Sequence, residues 1–173
     1  MEQKKKKTNL LIAVLVLAML AAAIAVLAIL NRPGALPESG SVAIRRGDEV
    51  LRTYTTAELK TLPVVEVEKE IVSSSFANDE GVFRGVALRA LLADAGVDVA
   101  ALTQVVVRAE DGFVSAYPAD EVAADDGIFL AYAKNGEPLG DRESGGSGPL
   151  RIVVTEDEFG NRCAKYVSEI EVK

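Results

Sequence analysis

An α+β fold with a mixed β-sheet is what this sequence predicts, preceded by one N-terminal transmembrane helix. Three observations carry that expectation. Leu10 to Leu30 is an unbroken run of Ala, Val, Ile, Leu and Met, 21 residues long. Beyond it, short stretches with a period of two outnumber short helical stripes. Gly, Asn and Asp punctuate those stretches at spacings that suit hairpins and antiparallel or mixed pairing.

Residues 1–8 read as a cytoplasmic basic tail, because Lys4, Lys5, Lys6 and Lys7 stand directly before the apolar run. Residues 9–30 read as a transmembrane signal anchor. At about 1.5 Å per residue a helix of that length crosses a bilayer's hydrocarbon core. The alternative is a cleaved signal peptide, whose apolar region is about 7–15 residues long. Ala23-Ile24-Ala25 would then be the cleavage site, but it lies inside the run with five apolar residues after it. No Cys follows for lipoprotein processing, and no polar residue interrupts the run to suggest a channel or proton path. Ala18, Ala22 and Ala21, Ala25 have helix-packing spacing, which apolar helices rich in Ala show in any case. Pro33, Gly34, Pro37 and Gly40 mark residues 31–41 as a linker. Residues 42–173 form the globular domain, expected to be extracytoplasmic on a single-pass cell-membrane protein.

Within that domain, Ser41 to Arg46 and Val50 to Tyr54 read as strands around a Gly47-Asp48-Glu49 turn. Thr55 and Glu58 have capping-box spacing, which opens a short helix ending near Leu62, before Pro63. Val65, Val67 and Ile71 alternate with Glu66, Glu68 and Glu70, a strand with one wet acidic face. Ser73 to Gly81 is polar and reads as a loop. Val86, Leu88, Leu91, Leu92 and Ala95 form a helical stripe, stopped by Gly96. Gln104 to Arg108 reads as a buried strand. Asp111-Gly112 turns the chain into Phe113 to Tyr117, and Pro118 opens a helix through Val122. Ile128 to Lys134 and Glu137 to Leu139 flank Asn135-Gly136, the signature of a type I′ hairpin. Asp141 to Gly148 is a loop. Leu150 to Thr155 and Ala164 to Val172 close the domain as strands.

Composition excludes several chemistries. There is no His and one Cys. The chain by itself makes no Ser-His-Asp triad, Cys-His dyad, His-ligated zinc or internal disulfide. Residues 31–173 carry 15 Lys and Arg against 25 Asp and Glu, which argues against nucleic acid as a partner. Glu66, Glu68 and Glu70, Asp125-Asp126 and Glu156-Asp157-Glu158 resemble fragments of calcium sites. They lack the spaced ligands and Gly of a dedicated loop, so solvating and turn roles fit them better. No metal ligands and no catalytic residues are assigned. Gly145-Gly146-Ser147-Gly148 before Arg151 could cradle an anion with backbone N–H groups, although its composition equally describes a flexible loop. Cys163 reads as a small packing residue on the final strand, facing away from Tyr166 and Ile170.

Phe83-Arg84-Gly85-Val86-Ala87-Leu88-Arg89-Ala90-Leu91-Leu92, with Ala95-Gly96-Val97, resembles the "F-x-G-V-x-L-x-x-L-L … A-G-V" segment of the sulfite-oxidase-type molybdopterin-binding domain. Further blocks follow in that family's order: Asp111-Gly112-Phe113, Leu130-Ala131-Tyr132 through Asn135-Gly136-Glu137-Pro138-Leu139, Gly148-Pro149-Leu150-Arg151, and Lys165-Tyr166-Val167 with Ile170-Glu171-Val172. Together they span residues 82–173, and Val42 to Glu80 fits more loosely. The resemblance implies a sulfite-oxidase-like fold, an oxidoreductase class and molybdopterin as a possible cofactor. It places the molybdenum-ligating Cys of active members near Ser73, in Ser73-Ser74-Ser75, and a phosphate-binding His at Gly146. Arg151 and Lys165 remain as matching cofactor-binding positions. Whether the chain is an enzyme is left open by this pattern. One expectation is a membrane-anchored module that binds a pterin-like or other anionic ligand, or an envelope protein partner, without molybdenum catalysis. The others are an active molybdenum oxidoreductase with an atypical ligand sphere, and a purely structural envelope domain. Arg151 and Lys165 have a competing role as partners of carboxylates that tie the last two strands together.

Overall fold

The computed structural model describes residues 14–26, 40–73, 77–124 and 126–173. The chain divides into two units, Met1–Ala35 and Leu36–Lys173. In the first, residues 14–26 form a helix (α1) whose large apolar side chains, among them Leu17 and Met19, are exposed. Among the described residues no helix is long and apolar enough to cross a membrane. The rest of the expected 9–30 span, the basic tail and nearly all of the linker lie outside the described residues.

The second unit opens with the expected hairpin, Ser41–Arg46 (β1) against Glu49–Thr55 (β2). The capping box closes as its spacing predicts. Glu58 N–H donates to Thr55 Oγ1 at 3.3 Å, and Thr55 N–H donates to Glu58 Oε2 at 2.8 Å. It starts the single-turn helix Thr56–Leu59 (α2) and drives Leu59 into the core. Val64–Ile71 (β3) alternates half-buried Val65 and Val67 with exposed Glu66, Glu68 and Glu70.

The next element departs from the sequence reading. Asp79–Ala87 is a nine-residue strand (β4), and the helix (α3) covers only Leu88–Asp94. The polar loop therefore ends before Asp79, and Val86 belongs to a strand. β4 is hydrogen-bonded on both sides, to β3 and to Ile128–Lys134 (β7). Pairing with β3 along its length, and with β7 from Phe83 to Ala87, outweighs the poor strand propensity of Asp79, Glu80, Gly81 and Gly85. Gly85 faces Ala131 across a register shift, and a Cβ there would stand 2.2 Å from the Leu130 carbonyl oxygen. Leu88, Leu91 and Leu92 fill the core, and Gly96, at φ 76°, ends the helical segment.

Gln104–Ala109 (β5) and Val114–Pro118 (β6) form a hairpin, followed by Ala119–Ala124 (α4). Asn135 and Gly136 both have positive φ, 52° and 84°, and connect β7 to Glu137–Pro138 (β8). Arg151–Val154 (β9) pairs with the other half of the same β7 edge. The final strand (β10) is Val167–Val172 rather than Ala164 to Val172. Gly160–Arg162 is a 3₁₀ turn, and Cys163 through Tyr166 lead from it into β10, with Tyr166 in the left-handed region at φ 57°. Cys163 is therefore not on a strand face.

One sheet has the order β2-β1-β10-β5-β6, with β1 and β10 parallel and the other pairs antiparallel. The second runs β3-β4-β7, with β8 and β9 sharing the far edge. Ile44, Tyr54, Val107 and Ile170 of the first share one core with Phe83, Leu130 and Ile152 of the second. The mixed α+β architecture is as the sequence predicts. β9 and β10 lie in different sheets, so no side chain ties them as neighbouring strands.

Candidate functional site

The end of β3 passes beside the 3₁₀ turn. Val72 bridges Phe159, and Gly160 N–H donates to the Val72 carbonyl at 2.9 Å. This junction brings Ser73, which follows β3, into the same cavity as Arg151, Asn161, Cys163 and Lys165. The cavity has a volume of about 390 Å³. A second, of about 410 Å³, adjoins it and shares Ala77, Asp79 and Lys165. The two residues singled out by sequence thus meet at one place, Arg151 at the start of β9 and Lys165 in the segment that leads into the last strand.

Arg151 opens β9 and its side chain is 2% exposed. A guanidinium so deeply buried requires a partner, and Asp79, the first residue of β4, supplies it. Arg151 Nη1 donates to Asp79 Oδ2. Lys134 Nζ, from the end of β7, donates to Asp79 Oδ1 at 2.5 Å. Burial acts to raise the Asp79 carboxyl, but the hydrogen bonds from Lys134 and then Arg151 outweigh it and hold the group below the usual carboxylate range. Arg151 also lies over the Phe83 ring at 5.5 Å. Its Nε is buried and has no hydrogen-bond partner.

Lys165 is exposed at the shared rim of both cavities, and makes no ion pair or hydrogen bond among the described residues. The expected carboxylate pairing therefore holds for Arg151 alone. Its carboxylate comes from β4, 72 positions away in sequence. Nothing local in the sequence marks Asp79 as that partner.

The wall that carries Cys163 is held by a separate cluster. Arg162 donates to Glu121 through Nη1 at 2.8 Å and Nη2 at 2.7 Å, and to Asp157 through Nε at 2.8 Å and Nη2 at 2.5 Å. These bonds raise its pKa and fix its charge. Lys69 Nζ donates to the carbonyls of Thr155 at 2.8 Å and Asp157 at 2.6 Å. Tyr117 donates its hydroxyl to the Arg162 carbonyl.

The Gly-rich loop is not an anion cradle. Gly145, Gly146, Ser147 and Gly148 donate their N–H groups to the carbonyls of Arg142, Asp141, Leu139 and Gly140 respectively. Its backbone donors are engaged within the chain. At Gly146, where the resemblance places a His, a Cβ would stand 2.4 Å from the Leu139 carbonyl oxygen, so no side chain fits this backbone.

The residues present do not fit a molybdenum centre. Near Ser73, in Ser73-Ser74-Ser75, where the expected thiolate falls, the chain offers only hard hydroxyl oxygens, and Ser74 and Ser75 lie outside the described residues. Cys163 does line the same cavity, which sequence position alone did not reveal, but burial pushes its thiol up and keeps it neutral. Among the described residues no group of three or more Cys, Asp or Glu side chains comes together around a metal position. Asp125 lies outside the described residues, so the pair Asp125-Asp126 is not described in full.

A comparison with curated proteins finds no match. Among solved structures, the chain is similar to the sulfane dehydrogenase SoxCD from Paracoccus pantotrophus, at a TM-score of 0.63 and 20% identity. The match covers 80% of this chain and 40% of that one, and shows a shared fold. The model of the oxidoreductase molybdopterin binding domain matches residues 37–173, which include every strand and the whole cavity. On that match the chain belongs to the oxidoreductase molybdopterin-binding domain family.

Proposed function

We propose that this protein is a membrane-tethered, extracytoplasmic binding module that holds an anionic ligand in the cavity at Arg151 and Lys165, and that it does not carry out molybdenum-dependent oxygen-atom transfer. The observation behind this reading is the pairing, in one cavity, of an unpartnered Lys165 ammonium with a buried guanidinium that has a free Nε–H. Lys165 supplies a point charge at the mouth. Arg151 supplies a planar donor set held in place by Asp79 and Phe83. Membership of an oxidoreductase family does not by itself give this member a reaction. The lack of a soft, ionised sulfur at Ser73 argues against one that runs through molybdenum.

Elemental analysis decides the catalytic half of the proposal. Protein purified from a host that makes the cofactor is expected to contain no stoichiometric molybdenum, and a value near one per chain refutes it. Protease added to intact spheroplasts is expected to digest the globular domain. Protection equal to that of a cytosolic marker overturns the topology.

A second reading rests on the placement of Cys163. Because this thiol lines the cavity shared with Ser73, an atypical molybdenum site would draw its sulfur from there. Loss of bound molybdenum in Cys163→Ser, with the metal present in the parent protein, is the result that would favour it.

A further inference from the structure

We propose that Asp79 tunes this cavity to accept singly charged anions, such as a carboxylate or a sulfonate, and to reject a doubly charged tetrahedral oxyanion. The inference rests on the anion-binding reading above and narrows its ligand class.

The charged side chains lining the first cavity are Asp79, Asp111, Arg151 and Lys165, two of each sign. The adjoining cavity adds Lys134 and Glu137, again one of each. Arg151 and Lys134 both direct their N–H groups at the Asp79 carboxylate, one oxygen each. That carboxylate already occupies the place between two cations where an incoming oxyanion would gain most. Asp79 begins β4, where it pairs with Ile71 of β3. Its ionised form is held by the same two bonds. Asp111 also lines the cavity, with Oδ1 accepting the Phe113 N–H at 3.0 Å. Lys165 has no carboxylate partner among the described residues, and Asp79 offsets one of the two charges on Arg151 and Lys134.

A monoanion placed at Lys165 meets an ammonium without a carboxylate partner, in a lining that also holds the neutral Asn161 amide. A dianion there carries a second charge into a lining that already holds the carboxylates of Asp79 and Asp111. Like charges that share one site disfavour each other. A phosphate monoester, doubly charged near neutral pH, falls in the disfavoured class. This is a second respect in which the cavity departs from what a phosphorylated pterin needs.

The test compares two anions with similar S–O groups and different charge. Methanesulfonate and sulfate are titrated into the full-length protein, purified in detergent, at constant ionic strength, and followed by calorimetry or thermal shift. Methanesulfonate is expected to bind more tightly than sulfate. Asp79→Asn is expected to reverse the order, because it removes the carboxylate and frees both cations. Lys165→Gln is expected to abolish binding of both anions. Tighter binding of sulfate by the parent protein overturns this inference and leaves the anion-binding reading standing. Binding of neither anion overturns both. The comparison on the parent protein needs no variant, so a misfolded Asp79→Asn does not remove the test.

Discussion

Replacing Gly85 with Ala tests whether the Phe83-x-Gly85 motif serves a close approach of two strands. An added Cβ would lie 2.2 Å from Leu130 O, 2.7 Å from Leu130 C and 2.6 Å from Ala131 Cα. Carbon contacts are relaxed at about 3.5–4.0 Å, so β4 and β7 must separate by about 1 Å. The obstructing atoms are backbone and cannot rotate aside. β4 and β7 are adjacent in the second sheet, and both contribute to the core through Phe83, Val86 and Leu130. Overpacking against such a wall costs about 3 kcal/mol, the upper part of the usual range. For a domain of this size that lowers Tm by roughly 10 °C. Gly96→Ala is the control. It sits at φ 76° with nothing within 4 Å of the added Cβ, so the cost is the left-handed backbone alone, about 1 kcal/mol. Thermal unfolding of both variants followed by circular dichroism makes the comparison. If Gly85→Ala melts no lower than Gly96→Ala, close strand approach is not the reason for glycine at this position.

Arg162→Ala is expected to cost about 2 kcal/mol in urea unfolding, because it removes forked bonds to two carboxylates that are only partly exposed. Arg162→Lys should recover part of that loss, as a point charge cannot serve both acids at once. Cys163 should resist iodoacetamide at pH 8 in the folded protein and react fully in urea, since burial raises its pKa; rapid native labelling would contradict this, and Arg162→Ala should speed it. Asp79 has a folded pKa below its unfolded value, so the stability it contributes is complete above about pH 4 and is lost as pH falls through the folded value. Melting measured from pH 5 down to pH 2 should therefore fall more steeply for the parent protein than for Asp79→Asn.

The elements most legible in the sequence were those with a local physical signal. The Thr55/Glu58 box, the Asn135-Gly136 turn and the acidic alternation of β3 each depend on neighbours within a few residues. β4 is hidden in the sequence because its apolar residues, Val82, Phe83 and Val86, are interrupted by glycines and charges. Only the strands on both sides make that stretch a strand. The stretch around Cys163 was misread as strand because its alternation hides a 3₁₀ turn and a left-handed Tyr166. At the site, Arg151 and Lys165 were found through the family resemblance. Asp79 was missed, since its partners lie 55 and 72 positions away and no spacing rule connects them. The engagement of the Gly-rich loop's N–H groups by its own carbonyls is likewise invisible in composition.

The middle of the first sheet is occupied by its last strand in chain order. β10 lies between β1, which opens the domain, and β5. A chain emerging from the ribosome or a translocon with its N-terminus first exposes two half-sheets, β2-β1 and β5-β6, each with an open edge waiting for Val167–Val172. Ala43 pairs with Glu169 across the whole length of the domain, so this sheet cannot close until synthesis has passed that point. Until then both edges are templates for pairing with other chains. A premature stop before Val167 would thus leave two hairpins without their shared partner. The loss would be far greater than removal of an equally short edge strand such as β2.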